Sequence, residues 1–169
     1  AYWALNLTNP ASAESMSSGK TDVQPPYWSI IKYHFPQLNG RRALDLFWYD
    51  GMMLPPTTLT AGKPPPGDHN GVVFVGENGN IAAAYGKEPF LVDEQQRDIK
   101  PPEKFIPRSI GHRREFLESI LGGPEPTCNF DYAGPLTEMV LLGNLAVRTG
   151  RRIEWDPAEM RVTNDREAQ

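Results

Sequence analysis

The sequence predicts an α+β fold with mostly antiparallel pairing. Three observations lead there. β-branched and aromatic segments come first, separated by tight-turn residues. Two segments with helical periodicity follow, each stopped by glycine. Short strand-like stretches close the chain. A run of strands and then helices, without the regular alternation of a parallel sheet, belongs to this class. No internal repeat is present.

At the start, Ala1-Tyr2-Trp3-Ala4-Leu5-Asn6-Leu7 reads as helix. No capping residue precedes it, and Asn9-Pro10 ends it, because a residue before proline is pushed out of helical geometry. A stop without a start predicts that the first turns of this helix are missing. The chain begins with alanine, so it reads as processed or as a piece of something longer. Residues 11–27 are small and polar, with room for at most one short strand near 11–16. Residues 28–35 form a strand closed by Pro36. Ile31, Tyr33 and Phe35 share one face; Trp28, Ile30, Lys32 and His34 share the other. A turn at 37–40 and a strand over 42–49 complete a hairpin, with Leu44, Leu46 and Trp48 alternating.

Residues 54–70 form a long proline-rich loop, which in a compact domain is functional or disordered. A second hairpin pairs 71–75 with a strand from 81, and Asn78-Gly79 is its turn signal. Residues 90–92 offer one further strand. The first helix spans 109–121, with Phe116, Leu117, Ile120 and Leu121 on one face and Gly122-Gly123 as its stop. The second starts at Gly134-Pro135 and runs to Thr149, with Gly150 after it. It is apolar nearly all round, which predicts deep burial or a place under an interface. Strands at 151–155 and 160–163 follow, then a polar tail.

Composition excludes several function classes. The 169 residues suit one domain, with no room for a dinucleotide-binding half beside a substrate-binding half. The net charge of −4 argues against a nucleic-acid footprint and against a polybasic membrane patch. One cysteine, Cys128, rules out an intrachain disulfide and a thiolate zinc cage, and reads as a buried, inert thiol. No apolar run approaches the roughly 18 residues of a membrane span. The 15 glycines and 17 prolines exceed average usage, near 7% and 5%, so loops and turns occupy much of the chain.

Common catalytic motifs are absent. Gly76-Glu77-Asn78-Gly79 lies between two strands, not before a helix, so it is no phosphate loop. His34, His69 and His112 lie on separate elements without ligand spacing and read as surface or hydrogen-bonded histidines. Two clusters carry chemistry. Trp48-Tyr49-Asp50-Gly51 sets aromatic rings beside a carboxylate, which suits sugar-like ligands; it also fits a core tryptophan followed by a turn. Cys128-Asn129-Phe130-Asp131-Tyr132-Ala133-Gly134-Pro135 puts polar groups ahead of a helix. It fits a ligand at the free N–H groups or simple capping by Asp131.

Read in order, these segments resemble the C-terminal domain of the Gfo/Idh/MocA oxidoreductase family, in a bacterial branch abundant in planctomycetes. The stretches are Tyr2-Trp3-Ala4-Leu5, Trp28-Ser29-Ile30-Ile31, Trp48-Tyr49-Asp50-Gly51, Gly71-Val72-Val73-Phe74-Val75-Gly76 and His112 with Glu115-Phe116. Asn129 through Glu138 and Leu141-Leu142-Gly143-Asn144 through Gly150 complete the series, which spans nearly the whole chain.

The resemblance implies an open, mainly antiparallel β-sheet with helices packed on one face. It divides the chain into the end of an inter-domain helix (1–8), a substrate-binding and oligomerisation domain (9–164) and a polar tail (165–169). It implies a partner Rossmann domain that binds NAD or NADP, with no cofactor held by this chain alone. The family's Glu-Lys-Pro motif and the Asp-x-x-x-His motif do not occur here, so the resemblance carries no catalytic role onto any residue; no metal ligands are expected either, given the spacing of the histidines. Tyr49, Asp50, Asn129 and Tyr132, with His112 as a weaker candidate, are expected to line the substrate side. The implied partners are a sugar or cyclitol and further copies of the chain, associated through the sheet, with neither nucleic acid nor membrane. Strands apolar on both sides would fit that association.

Two alternatives use the same residues: part of an NAD-dependent redox glycosidase or lyase, and a non-catalytic stand-alone binding or assembly module. The compartment, cytoplasmic or exported, is open, since any export signal would lie upstream of Ala1.

Overall fold

A computed structural model describes residues 1–21, 23–63, 70–93, 100 and 102–168. The expectations for His69 and for most of the 54–70 loop's proline run lie outside the described residues. The fold is α+β, with two open antiparallel sheets. The first has five strands, ordered β3-β2-β1-β7-β8: β1 (Ser12–Ser17), β2 (Ser29–Phe35), β3 (Leu44–Asp50), β7 (Ile153–Asp156) and β8 (Arg161–Val162). The second has three, ordered β4-β5-β6: β4 (Gly71–Gly76), β5 (Gly79–Ala84) and β6 (Phe90–Leu91). The helices are α1 (His112–Ile120) and α2 (Phe130–Thr149). The chain divides into two compact units: 16–30 with 47–102, and 2–15 with 31–46 and 103–169.

The larger unit holds the main core. Inward residues of the five-stranded sheet alternate as the period of a strand requires: Ile31, Tyr33 and Phe35 on β2, Ala13 on β1, Ile153 on β7. Met139, Leu142 and Ala146 of α2 cover them, spaced three and four residues apart. The weakest strand of the sequence, β1, is the middle strand of this sheet. Ala11, just before it, donates its N–H to the His34 carbonyl at 2.9 Å and accepts from the Trp155 N–H at 2.8 Å.

The outer face of the same sheet is charged, which corrects the expectation of two apolar faces. Asp45 on β3 takes the His34 ring nitrogen at 2.8 Å and Lys32 at 3.2 Å. Lys32 also lies 3.7 Å from Glu14, and Arg152 bonds Glu154 at 2.6 Å. The signs alternate across four strands, so the row compensates itself. His34 is thus a hydrogen-bonded surface histidine.

Several element boundaries differ from expectation. Residues 2–6 form turns in place of a helix: Asn6 and Asn9 are left-handed, with φ 48° and 56°, and the Leu7 N–H returns to the Tyr2 carbonyl at 3.0 Å. A segment this short without a cap does not sustain a helix, and folding it back buries Leu7 completely. The hairpin loop is Glu77-Asn78, with Gly76 paired to Gly79. Helix α2 begins four residues before Gly134, because Asn129 accepts the Tyr132 N–H at 2.9 Å and caps it there. Only one stripe of α2 is buried; Val140 and Leu141 face solvent. The tail folds as well. Arg166–Ala168 forms a 3-10 turn, Ala168 is buried, and Asp165 pairs with Arg151 at 2.8 Å.

In the smaller unit, β4 and β5 pair along their full length, from Gly71↔Ala84 to Gly76↔Gly79. The 3-10 turn at Thr57–Thr60 is joined to β5 by the Asn80 amide, which donates to the Leu59 carbonyl at 3.0 Å. Ala82 and Val92 are buried in this unit.

Candidate functional site

The candidate residues fall in both units. Tyr49 and Asp50 end β3 within the smaller unit. A turn follows in which Gly51 and Met52 both have positive φ, 66° and 70°. Gly51 is required twice over: a Cβ there would come 2.5 Å from Trp28 Cα, and its φ suits glycine. The inward-outward alternation of β3 slips at Phe47–Trp48, which are both exposed. The slip corrects the reading of Trp48 as core: the indole is 58% exposed, next to half-buried Tyr49 and exposed Asp50.

His112, Asn129 and Tyr132 lie in the larger unit. His112 is the first residue of α1 and exposed. Ser109 and Glu115 fix this helix start: the Ser109 hydroxyl binds the Glu115 carboxylate and accepts the Gly111 N–H at 2.9 Å. The second Glu115 oxygen takes the Thr127 N–H at 2.9 Å and hydroxyl at 2.7 Å. These bonds from Ser109 and Thr127 hold the Glu115 carboxyl below the usual carboxylate range. Glu115 therefore ties α1 to the loop that enters α2. Cys128, in that loop, is exposed, which corrects the expectation of a buried thiol. Cys128 lies in the turn immediately before the Asn129 cap.

Asn129 caps α2 and so positions Tyr132 in its first turn. The capping role falls to Asn129, with Asp131 two residues further in, inside the first turn. The Tyr132 ring meets the Tyr2 ring edge-on, with centroids 5.5 Å apart. Burial first, then Tyr132 and Glu138, push the Tyr2 hydroxyl pKa up, which places both groups near it. Glu138 accepts the Trp155 indole N–H at 2.6 Å. The result is a half-buried group of two phenols, an indole and a carboxylate. Among the described residues, no hydrogen bond is made by the Tyr2 or Tyr132 hydroxyl, or by the second Glu138 oxygen. Such a group can accept hydroxyl hydrogen bonds and cover apolar C–H faces.

Sequence reasoning reached Asn129 and Tyr132 and missed Tyr2, Glu138 and Trp155 as neighbours. A signal existed: Glu138 is the one charged residue between Asp131 and Arg148 on a helix otherwise apolar, and such a carboxylate needs a donor. Among the described residues, no three His, Cys, Asp or Glu side chains converge as metal ligands. The Gly76–Gly79 turn closes a hairpin instead of opening a helix.

Compared with known proteins, the chain matches no family model and no curated sequence.

Proposed function

We propose that this chain is the substrate-binding and oligomerising part of an NAD(P)-dependent oxidoreductase that acts on a sugar or cyclitol. The observation that carries the reading is the Tyr2–Tyr132 ring pair with Glu138 near it. A polyol presents C–H faces to rings and hydroxyls to acceptors, and this group supplies both. The ordered motif resemblance and the antiparallel α+β fold support the same reading.

In this role the chain's residues bind and orient. Asn129 fixes the first turn of α2, and hence the Tyr132 ring, while Trp155 holds the Glu138 carboxylate. Tyr49, Asp50 and His112 are the further candidates on the substrate side. Hydride transfer demands that the sugar carbon be held at contact distance from its acceptor, and that positioning is the chain's contribution. The nicotinamide cofactor would be carried by a separate dinucleotide-binding domain, as the family resemblance implies.

NADH fluorescence titration against the chain alone tests that division. No saturable binding is expected up to millimolar NADH. Saturable binding in the micromolar range would overturn the assignment.

A further inference from the structure

Among the described residues, the charge of Glu138 is left without a cation. Glu138 is half-buried on α2 and is the one charged residue between Asp131 and Arg148. One of its carboxylate oxygens takes the Trp155 indole N–H at 2.6 Å, which is a neutral donor. The other takes no hydrogen bond among the described residues. Arg148 lies near the far end of the same helix, roughly 15 Å away at 1.5 Å per residue. Arg152, just before β7, is bonded to Glu154 at 2.6 Å in the charged row on the outer face of the sheet. Trp155 packs against the core on the opposite face. The field at Tyr2 has the same imbalance. Tyr132 and Glu138 both push its hydroxyl pKa up, and no cation among the described residues pulls it down.

The rings beside Glu138 select the kind of cation. Tyr2 and Tyr132 stand at 86° to each other with centroids 5.5 Å apart, so they form two walls of a corner. Aromatic faces attract a cation held within about 6 Å, and most strongly one that is already weakly hydrated. A metal ion needs several oxygen or nitrogen ligands, and no such set converges among the described residues. An organic ammonium needs one carboxylate and apolar walls. Resting on the sugar or cyclitol reading above, we propose that the ligand of this group is an amino sugar or aminocyclitol, whose protonated nitrogen binds the open oxygen of Glu138 against the Tyr2 and Tyr132 rings. The ammonium supplies the countercharge that a half-buried carboxylate needs once water is displaced. The hydroxyls of the same ligand are left for the Tyr2 and Tyr132 phenols. A neutral polyol would desolvate Glu138 without compensating it. An acidic or phosphorylated sugar would oppose Glu138 with like charge, which selects against it.

Matched sugars test the charge. Glucosamine with glucose, galactosamine with galactose and mannosamine with mannose are each titrated into the isotopically labelled chain, together with the N-acetyl derivative of each amine and with glucuronate. At about pH 6 the sugar amines are protonated. The Tyr132 amide and the Trp155 indole N–H report binding at the site. At least one amine is expected to bind at least tenfold tighter than its neutral match. N-acetylation keeps the nitrogen, removes its charge and should abolish that gain, and glucuronate should give no saturable shift. Glu138→Gln should bring the amine and the neutral sugar to within about twofold of each other. If Glu138→Gln does not fold, the N-acetyl comparison on the unmodified chain decides. Equal affinity for amine and neutral sugar overturns the amine assignment and leaves the sugar reading standing. So does a preference for the amine that survives Glu138→Gln. Shifts absent for every probe overturn both.

Discussion

Gly143 of α2 lies directly against the buried ring of Tyr33 on β2. A Cβ at Gly143 would come 2.7 Å from Tyr33 Cζ and closer still to the hydroxyl. The helix can approach the sheet this closely only because residue 143 has no side chain. Leu142 and Ala146, on either side of it, are buried in the same core.

Gly143→Ala is therefore expected to destabilise the fold by about 1–3 kcal/mol, the cost of overpacking, despite alanine's better helix propensity. Chemical denaturation would measure it. Adding Tyr33→Ala should recover part of the loss that Gly143→Ala causes, and a strictly additive double variant would contradict the contact.

Tyr33 itself predicts a pH dependence. Burial pushes its hydroxyl pKa up to about 12 from an ordinary value of 10.0. The neutral phenol is favoured in the fold, so the contribution is complete below pH 10 and is lost as pH rises toward 12. Over that window stability should fall by roughly 2–3 kcal/mol from this group, at about 1.4 kcal/mol per unit. Tyr33→Phe should flatten that portion of the alkaline stability curve, and an unchanged slope would remove Tyr33 as its cause.

Glu138 is held by an indole N–H at 2.6 Å. Glu138→Ala leaves that half-buried donor without its partner and is expected to cost about 1–3 kcal/mol. Glu138→Gln keeps an acceptor and should cost less than half as much. Thermal unfolding of the pair, with tryptophan fluorescence as readout, separates hydrogen bonding from charge. Equal losses would show that charge dominates.

The Asn129 cap is the simplest link between sequence and site. Asn129→Ala should lower stability by about 1 kcal/mol, and Asn129→Asp should retain most of it. Urea midpoints check both. A neutral Asn129→Ala would mean that the cap does not hold the first turn of α2.

What the sequence disclosed, and what it hid, follows from the range of each interaction. The two hairpins, β6 and the closing strands were legible because alternation and turn residues are local. So was the end of α1, where the Gly123 N–H bonds the Glu118 carbonyl at 2.8 Å and the Gly122 N–H bonds Ser119 at 3.1 Å. A short strand near 11–16 was legible, but not that β1 is the central strand, because that place depends on long-range bonding to both neighbours. The start of α2 was misplaced because Gly134-Pro135 is a strong local start signal, while the Asn129 cap lies further upstream. Tyr132 and Asn129 could be nominated locally. Tyr2, Glu138 and Trp155 join them only through tertiary packing. The apolar side of α1, with Phe116, Leu117 and Ile120 exposed at 59%, 59% and 65%, has the period of a core helix but no covering element among the described residues.

The central claim is that the Tyr2–Tyr132–Glu138 group takes a sugar-like ligand. Amide chemical-shift mapping of the isotopically labelled chain, titrated with a panel of monosaccharides and cyclitols, tests it most directly. Saturable shifts at Asn129, Tyr132 and the Trp155 indole are expected for at least one compound, abolished by Tyr132→Ala at retained fold. Shifts absent across the panel, or confined to residues far from α2 and β7, would contradict it.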